Sequence, residues 1–163
     1  MTAGRPGEQN PIRWVMRIPV PWVFVLAYVL GVGLDYLLPF RLHPDAPLGI
    51  AIVGAVLFCL GAIVAGWSWS LFHRAGTTRV PGQTSTTLVT SGPYRRSRNP
   101  MYVGLALAYL GEAGMLKQLG PVLVLPLILA YLNWLVIPVE EERLREVFRE
   151  AYDKYSAGTR RWL

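Results

Sequence analysis

Leu88-Val-Thr-Ser-Gly-Pro-Tyr-Arg-Arg-Ser-Arg-Asn-Pro-Met-Tyr-Val-Gly104 is a polar, basic, turn-rich segment that runs directly into an apolar one. Gly92-Pro93 signals a turn, while Pro100 disfavours helical geometry at Asn99 and suits the first position of a helix. A helix is therefore predicted from about Pro100. Its first turn offers unpaired backbone N–H groups and the positive end of a dipole, with Tyr94, Arg95, Arg96, Arg98, Asn99 and Tyr102 gathered around it. Such a place suits a carboxylate or phosphate. Basic and aromatic residues also collect at any membrane boundary, and composition alone fits that plainer reading slightly better.

Outward from this stretch the chain is apolar. Of its 163 residues 53% are hydrophobic and 16% charged, with positive mean hydropathy and long uncharged runs, which excludes an ordinary soluble domain and points to a bilayer. The length fits one membrane domain, residues 1–163. A net charge of +6 could attract nucleic acid, but the basic residues sit beside apolar runs and read as topology signals and anionic-lipid contacts. Cys59 is the single cysteine, so no intrachain disulfide or Cys-based metal site is possible, and it reads as a small buried hydrophobe.

Residues 1–17 read as an N-terminal tail. Two spans follow within 18–72: Ile18 to about Phe40, flanked by Arg13, Arg17 and Arg41, and Leu48 to Phe72 after the connector Leu42–Pro47. Asp35 reads as a snorkelled or capped carboxylate rather than part of an ion pathway. In the second span Gly61-xxx-Ala65 and Ala62-xxx-Gly66 offer faces for close helix packing, and Trp67 and Trp69 fit an aromatic belt. Ala75–Ser91 reads as a loop with one extended piece at Thr86–Val89. Met101–Leu116 and Pro121–Val139 form two further arms, which cross the bilayer or make a re-entrant hairpin. Glu140–Tyr155 is predicted as an amphipathic helix with Glu141/Arg145 and Glu150/Lys154 pairs, ending near Gly158. Arg160, Arg161 and Trp162 read as interface anchors. The fold class is thus all-α, a multi-pass transmembrane bundle of about four spanning or hairpin helices with a C-terminal amphipathic cytoplasmic helix.

With both termini cytoplasmic, only Arg41 and Lys117 fall on the far side, a strong positive-inside asymmetry. It predicts a prokaryotic plasma (inner) membrane protein whose site faces the cytoplasm. The two arms of about 16 to 19 residues, roughly 24 to 28 Å each, return the chain to the side it left. Arg98–Tyr102 and Glu140–Glu142 are therefore expected to meet. Their meeting would suit a zwitterionic, partly aromatic ligand, with a carboxylate for the basic groups and an amine or hydroxyls for the Glu pair.

Thr86-Thr87-Leu88-Val89-Thr90-Ser91-Gly92-Pro93-Tyr94, then Arg98-Asn99-Pro100-Met101-Tyr102-Val103-Gly104, then Glu140-Glu141 with Leu144, Phe148, Tyr152 and Tyr155, resembles the signature of the isoprenylcysteine carboxyl methyltransferase and phospholipid methyltransferase superfamily. The resemblance covers the C-terminal half, from near Ala75. It implies a membrane enzyme that uses S-adenosylmethionine to methylate a lipophilic acceptor, such as a phospholipid amine or an isoprenylated cysteine carboxylate, with 73–163 as the catalytic half. It also implies site residues. Thr86, Thr87, Leu88 and Val89 would line the cofactor through their backbone, Tyr94 would pack on it, and Asn99, Pro100, Met101 and Tyr102 would hold its methionine or adenosine part. Glu140 would contact the cofactor with Glu141 in support, while Arg98 would orient the acceptor or the cofactor carboxylate; Arg98, Tyr102 and Glu141 are the catalytic candidates. Two positions depart from the family pattern. Asn99 replaces a His, which removes a titratable base, and Val136 stands where eukaryotic prenylcysteine enzymes carry an Arg associated with the substrate carboxylate. Two other readings fit the same pattern: a membrane scaffold or lipid-binding protein, and a reductase of sterol type, which resembles this family in its C-terminal helices.

Overall fold

The structure is a computed structural model and describes residues 19–37, 47–75 and 87–163. The N-terminal tail with Arg13 and Arg17, the connector before Pro47 with Arg41, and the loop from 76 to 86 with Thr86 lie outside the described residues. Helices α1 (Val20–Leu37), α2 (Leu48–Arg74), α3 (Pro100–Met115), α4 (Gly120–Tyr131), α5 (Ile137–Phe148) and α6 (Glu150–Gly158) follow one another, with a 3-10 turn at Gly92–Arg95 and a π turn at Leu132–Val136. No strand occurs among the described residues. The expected all-helical membrane bundle is what forms.

Among the described residues three helical stretches are long and apolar enough to cross a bilayer: α1, α2 and the unbroken run Gly120–Phe148. At 16 residues α3 reaches about 24 Å, less than a typical hydrocarbon core. The fourth arm does not stop at Val139 as the sequence predicts. Pro138 cannot donate the hydrogen bond that a helix would direct to the carbonyl of Trp134, and the wide π turn falls there, so the helix continues through the proline. Glu140 and Glu141 consequently sit on the same rod as the membrane arm.

Helices α2 and α3 are antiparallel and touch backbone to backbone. Gly54, Gly61 and Ser68 form the buried stripe of α2, and Gly104 and Gly111 face it from α3. A Cβ on Gly104 would lie 2.6 Å from the backbone nitrogen of Ala65, and one on Gly54 would lie 2.5 Å from that of Met115. Gly61-xxx-Ala65 therefore packs as expected. Ala62 and Gly66 face outward instead, and a Cβ on Gly66 would meet nothing. Cys59 is also exposed on the outer face rather than buried. The cause is that α2 is apolar all round, so the closest backbone approach, not hydropathy, selects its inner face. The large side chains left outside, such as Leu30, Val53, Val56 and Ile63, match lipid rather than water.

Helix α1 packs on α4 where Gly31 meets Gly120 and Pro121. Asp35, 6% exposed, accepts a 2.7 Å hydrogen bond from the backbone N–H of Gly120 at the start of α4. The carboxylate is thus a cap for a neighbouring helix and does not reach for the interface. Phe24, Tyr109, Val124, Ile128, Leu132 and Ile137 join α1, α3, α4 and α5 in one core.

The amphipathic segment is two helices rather than one. Arg149 ends α5 and starts α6 at φ 45° and ψ −122°, a conformation that only glycine adopts without strain. The predicted Glu141/Arg145 pair does not form. Arg145 bonds to Asp153 at 2.9 Å across the break and lies over the Tyr152 ring, while Glu141 points elsewhere. Arg149→Gly is expected to raise stability by about 1 kcal/mol and Arg149→Val to lower it. Thermal unfolding in detergent reads both; equal midpoints would show that the bend carries no strain.

Candidate functional site

The quoted segment folds into a compact lead-in to α3. Gly92 has a φ of +59° and rests on Trp67 and Leu71 of α2. Tyr94 is buried edge-on against Phe72, with ring centroids 5.2 Å apart, and its carbonyl accepts a 2.7 Å bond from the Tyr155 hydroxyl. Leu88 and Val89 are half-buried and Thr87 is exposed, and no strand forms at 87–89. Asn99 precedes the helix at φ −127° and ψ 48°, outside the helical region that a following proline disfavours, and its carbonyl accepts from the N–H groups of Tyr102 and Val103. Pro100 and Met101 are buried, Met101 within the apolar core.

The two ends of the hairpin meet. Tyr102, 1% exposed, donates its hydroxyl to Glu140 Oε1 at 2.6 Å, the short distance of a charge-assisted bond. One residue on, and so about 100° around α5, Glu141 faces Arg98, whose guanidinium lies 3.1 Å from Oε1. Arg98 also donates to the carbonyl of Ser156. These contacts join α3, α5 and α6 across stretches remote in sequence. Among the sequence candidates, Arg98, Tyr102, Glu140 and Glu141 form one contiguous group with Asn99 beside it, and Tyr94 anchors the lead-in on the α2 side.

Arg161 completes the group, and it was not among the candidates. Its guanidinium grips Glu141 with both prongs, Nε to Oε1 at 3.2 Å and one terminal nitrogen to Oε2 at 2.7 Å. Its carbonyl accepts from Asn99 Nδ2 at 3.0 Å and from the Ser97 hydroxyl at 3.4 Å. The Arg98 N–H donates to the carbonyl of Arg160 at 2.8 Å, and Trp162 Nε1 donates to Asn133 Oδ1 at 3.0 Å beside the π turn. Residues 160–162 are therefore tied into the site. Their sequence signal, two arginines and a tryptophan after Gly158, has no period from which a partner could be read.

The electrostatics are lopsided. Two guanidinium groups share one carboxylate whose side chain is 12% exposed, which leaves one positive charge, and the Arg98 Nε is buried without a partner. The hydrogen bond to Glu141 holds Arg161 firmly protonated. Burial pushes the phenol of Tyr152 above its ordinary value and the Glu141 charge adds to this, against the opposing pull of Arg98, Arg145 and Arg161. Tyr152 is thus a neutral phenol, 1% exposed, whose hydroxyl has no partner. An added anion would satisfy such a group, and the neighbouring Glu140 gives it an edge of opposite sign. Among the described residues no three His, Cys, Asp or Glu side chains gather to hold a metal ion.

A family profile described as phospholipid methyltransferase matches residues 50–151, which takes in nearly all of α2, the whole of α3, and Glu140 and Glu141. Over 165 residues the chain is 26% identical to a probable protein-S-isoprenylcysteine O-methyltransferase of Oryza sativa subsp. japonica, covering 96% of this chain and 82% of that protein. Over 80 residues it is 39% identical to the cobalt-zinc-cadmium resistance protein CzcN of Cupriavidus metallidurans, covering 49% of this chain and 37% of that protein. The nickel-cobalt-cadmium resistance protein NccN of Alcaligenes xylosoxydans xylosoxydans is 34% identical over the same shares. The matched part spans 37% of the length of these two metal-resistance relatives. No solved structure matches.

Proposed function

The chain belongs to the phospholipid methyltransferase family, and on that premise we propose that it transfers a methyl group from S-adenosylmethionine to a lipophilic acceptor that reaches the site from the bilayer. The convergence of Tyr102 with Glu140 and of Arg98 with Glu141, at one end of two apolar arms, is the observation that supports this most. The donor set fits the cofactor. A carboxylate suits the surplus guanidinium charge, and an ammonium suits Glu140.

Bound S-adenosylmethionine supplies an electrophilic methyl on a sulfonium. The protein's part is alignment and exclusion of water; holding two reactants in line can be worth about 7 to 11 kcal/mol. Tyr102 fixes the Glu140 carboxylate, and the Arg98 and Arg161 forks fix that of Glu141. Val136, at the place where prenylcysteine enzymes carry an arginine, is buried in the apolar core. That favours a phospholipid amine as the acceptor. An amine must lose a proton to react, and both oxygens of Glu141 are taken by guanidinium donors. Glu140 is the carboxylate placed to accept it.

The site lies at the cytoplasmic face of a prokaryotic plasma membrane in this reading. Arg74, Arg95, Arg96, Arg143 and Arg149 lie with it at one end of the bundle, and Lys117 lies at the other. Calorimetry of S-adenosylmethionine with detergent-solubilised protein tests the proposal. Glu140→Ala and Tyr102→Phe are each expected to weaken binding about tenfold or more, the usual cost of a lost hydrogen bond to a charged group. Absence of binding, or affinity untouched by both changes, would sink it. Binding of a nicotinamide cofactor in its place would favour the reductase. Incubation with radiolabelled donor and a host lipid extract would identify the acceptor.

A further inference from the structure

We propose that Arg161 is a positioning residue of the methyl-transfer site, acting through Glu141; this rests on the function proposed above. Helix α5 continues the membrane arm through the π turn, where the Ile137 N–H bonds to the Leu132 carbonyl, and ends at the strained break at Arg149. The backbone therefore holds α5 from the membrane side, and side-chain tethers hold its free end against the lead-in to α3. Tyr102 holds Glu140, while Arg98 and Arg161 hold Glu141.

Of these tethers the Arg161 fork is the one with two prongs, and it reaches the shorter distance to Glu141, 2.7 Å against 3.1 Å for Arg98. The same residue is pinned at its backbone by Asn99 and Ser97 from the lead-in to α3. Arg161 thus joins the two walls of the site directly. Glu140 and Glu141 are adjacent on one helix, so holding Glu141 also holds the angle at which Glu140 meets Tyr102 and a bound donor. Arg161 lies beyond the stretch that carries the family match, which ends at residue 151.

The test is a double-mutant cycle read by calorimetry of S-adenosylmethionine with the full-length protein. Arg161→Gln is expected to weaken binding about ten- to a hundredfold, the range common for groups that orient a binding residue. Arg161→Lys should fall between it and the wild type, because an ammonium cannot reproduce the fork. Lys154→Gln, at an exposed position on α6, should bind as wild type. In a Glu141→Gln background, Arg161→Gln should add little. A merely structural role would not produce that silence, since it would lower stability in either background. Wild-type affinity in Arg161→Gln, or an equal loss in both backgrounds, would overturn the inference alone. Failure of the wild-type protein to bind the donor would overturn the proposed function with it.

Discussion

Gly61→Val is expected to leave no folded protein, whereas Gly66→Val on the same helix is expected to be tolerated. A side chain at position 61 would drive into the backbone of Ala108 and Gly104, and no rotamer change relieves a clash between main chains. Helices α2 and α3 would have to separate along their length, which also opens the contacts at Gly54, Gly104 and Gly111. Overpacking a side-chain core costs about 1–3 kcal/mol; with backbone on both sides the cost should lie at or above the top of that range. The lead-in to α3 rests on α2 through Gly92 and Tyr94, so the site would be lost with the helix pair. Size-exclusion profiles and thermal midpoints of the two variants in one detergent decide the matter. Identical behaviour would show that the glycine stripe does not hold the bundle together.

The second large effect is expected from Glu141→Ala. It strands two guanidinium groups, and the side chain of Arg98 is only 16% exposed. Breaking a buried pair by removing one partner costs about 3–5 kcal/mol, and the greater exposure of Arg161 places this case near the lower end. Donor binding should be lost as well, because α5 loses two of its tethers. The sign can be checked within the same series. If the damage comes from uncompensated charge, Arg98→Met added to Glu141→Ala should recover part of the stability and none of the binding. A Glu141→Ala protein as stable as wild type would show that the cluster is solvated and contributes little.

Much of the architecture was legible because it depends on local chemistry. Pro100 starts a helix and Gly158 ends one at their expected places, since each acts through its own backbone. The apolar runs set which segments enter the membrane. The return of two arms of similar length required Arg98–Tyr102 and Glu140–Glu141 to lie at the same end of the bundle, and they do.

What the sequence determined by itself, then, was the membrane-embedded helical class, the order of the arms and the end of the bundle at which the polar residues collect. Only tertiary structure decided which face of the uniformly apolar α2 turns inward, since backbone approach selects among faces that hydropathy cannot tell apart. It decided that Glu140 and Glu141 continue the fourth arm through Pro138, because the π turn absorbs the missing hydrogen bond. It also decided that Arg161 belongs to the site. That assignment depends on where a non-periodic tail is anchored, on carbonyl, amide and carboxylate partners remote in the chain, and no local pattern encodes such a place.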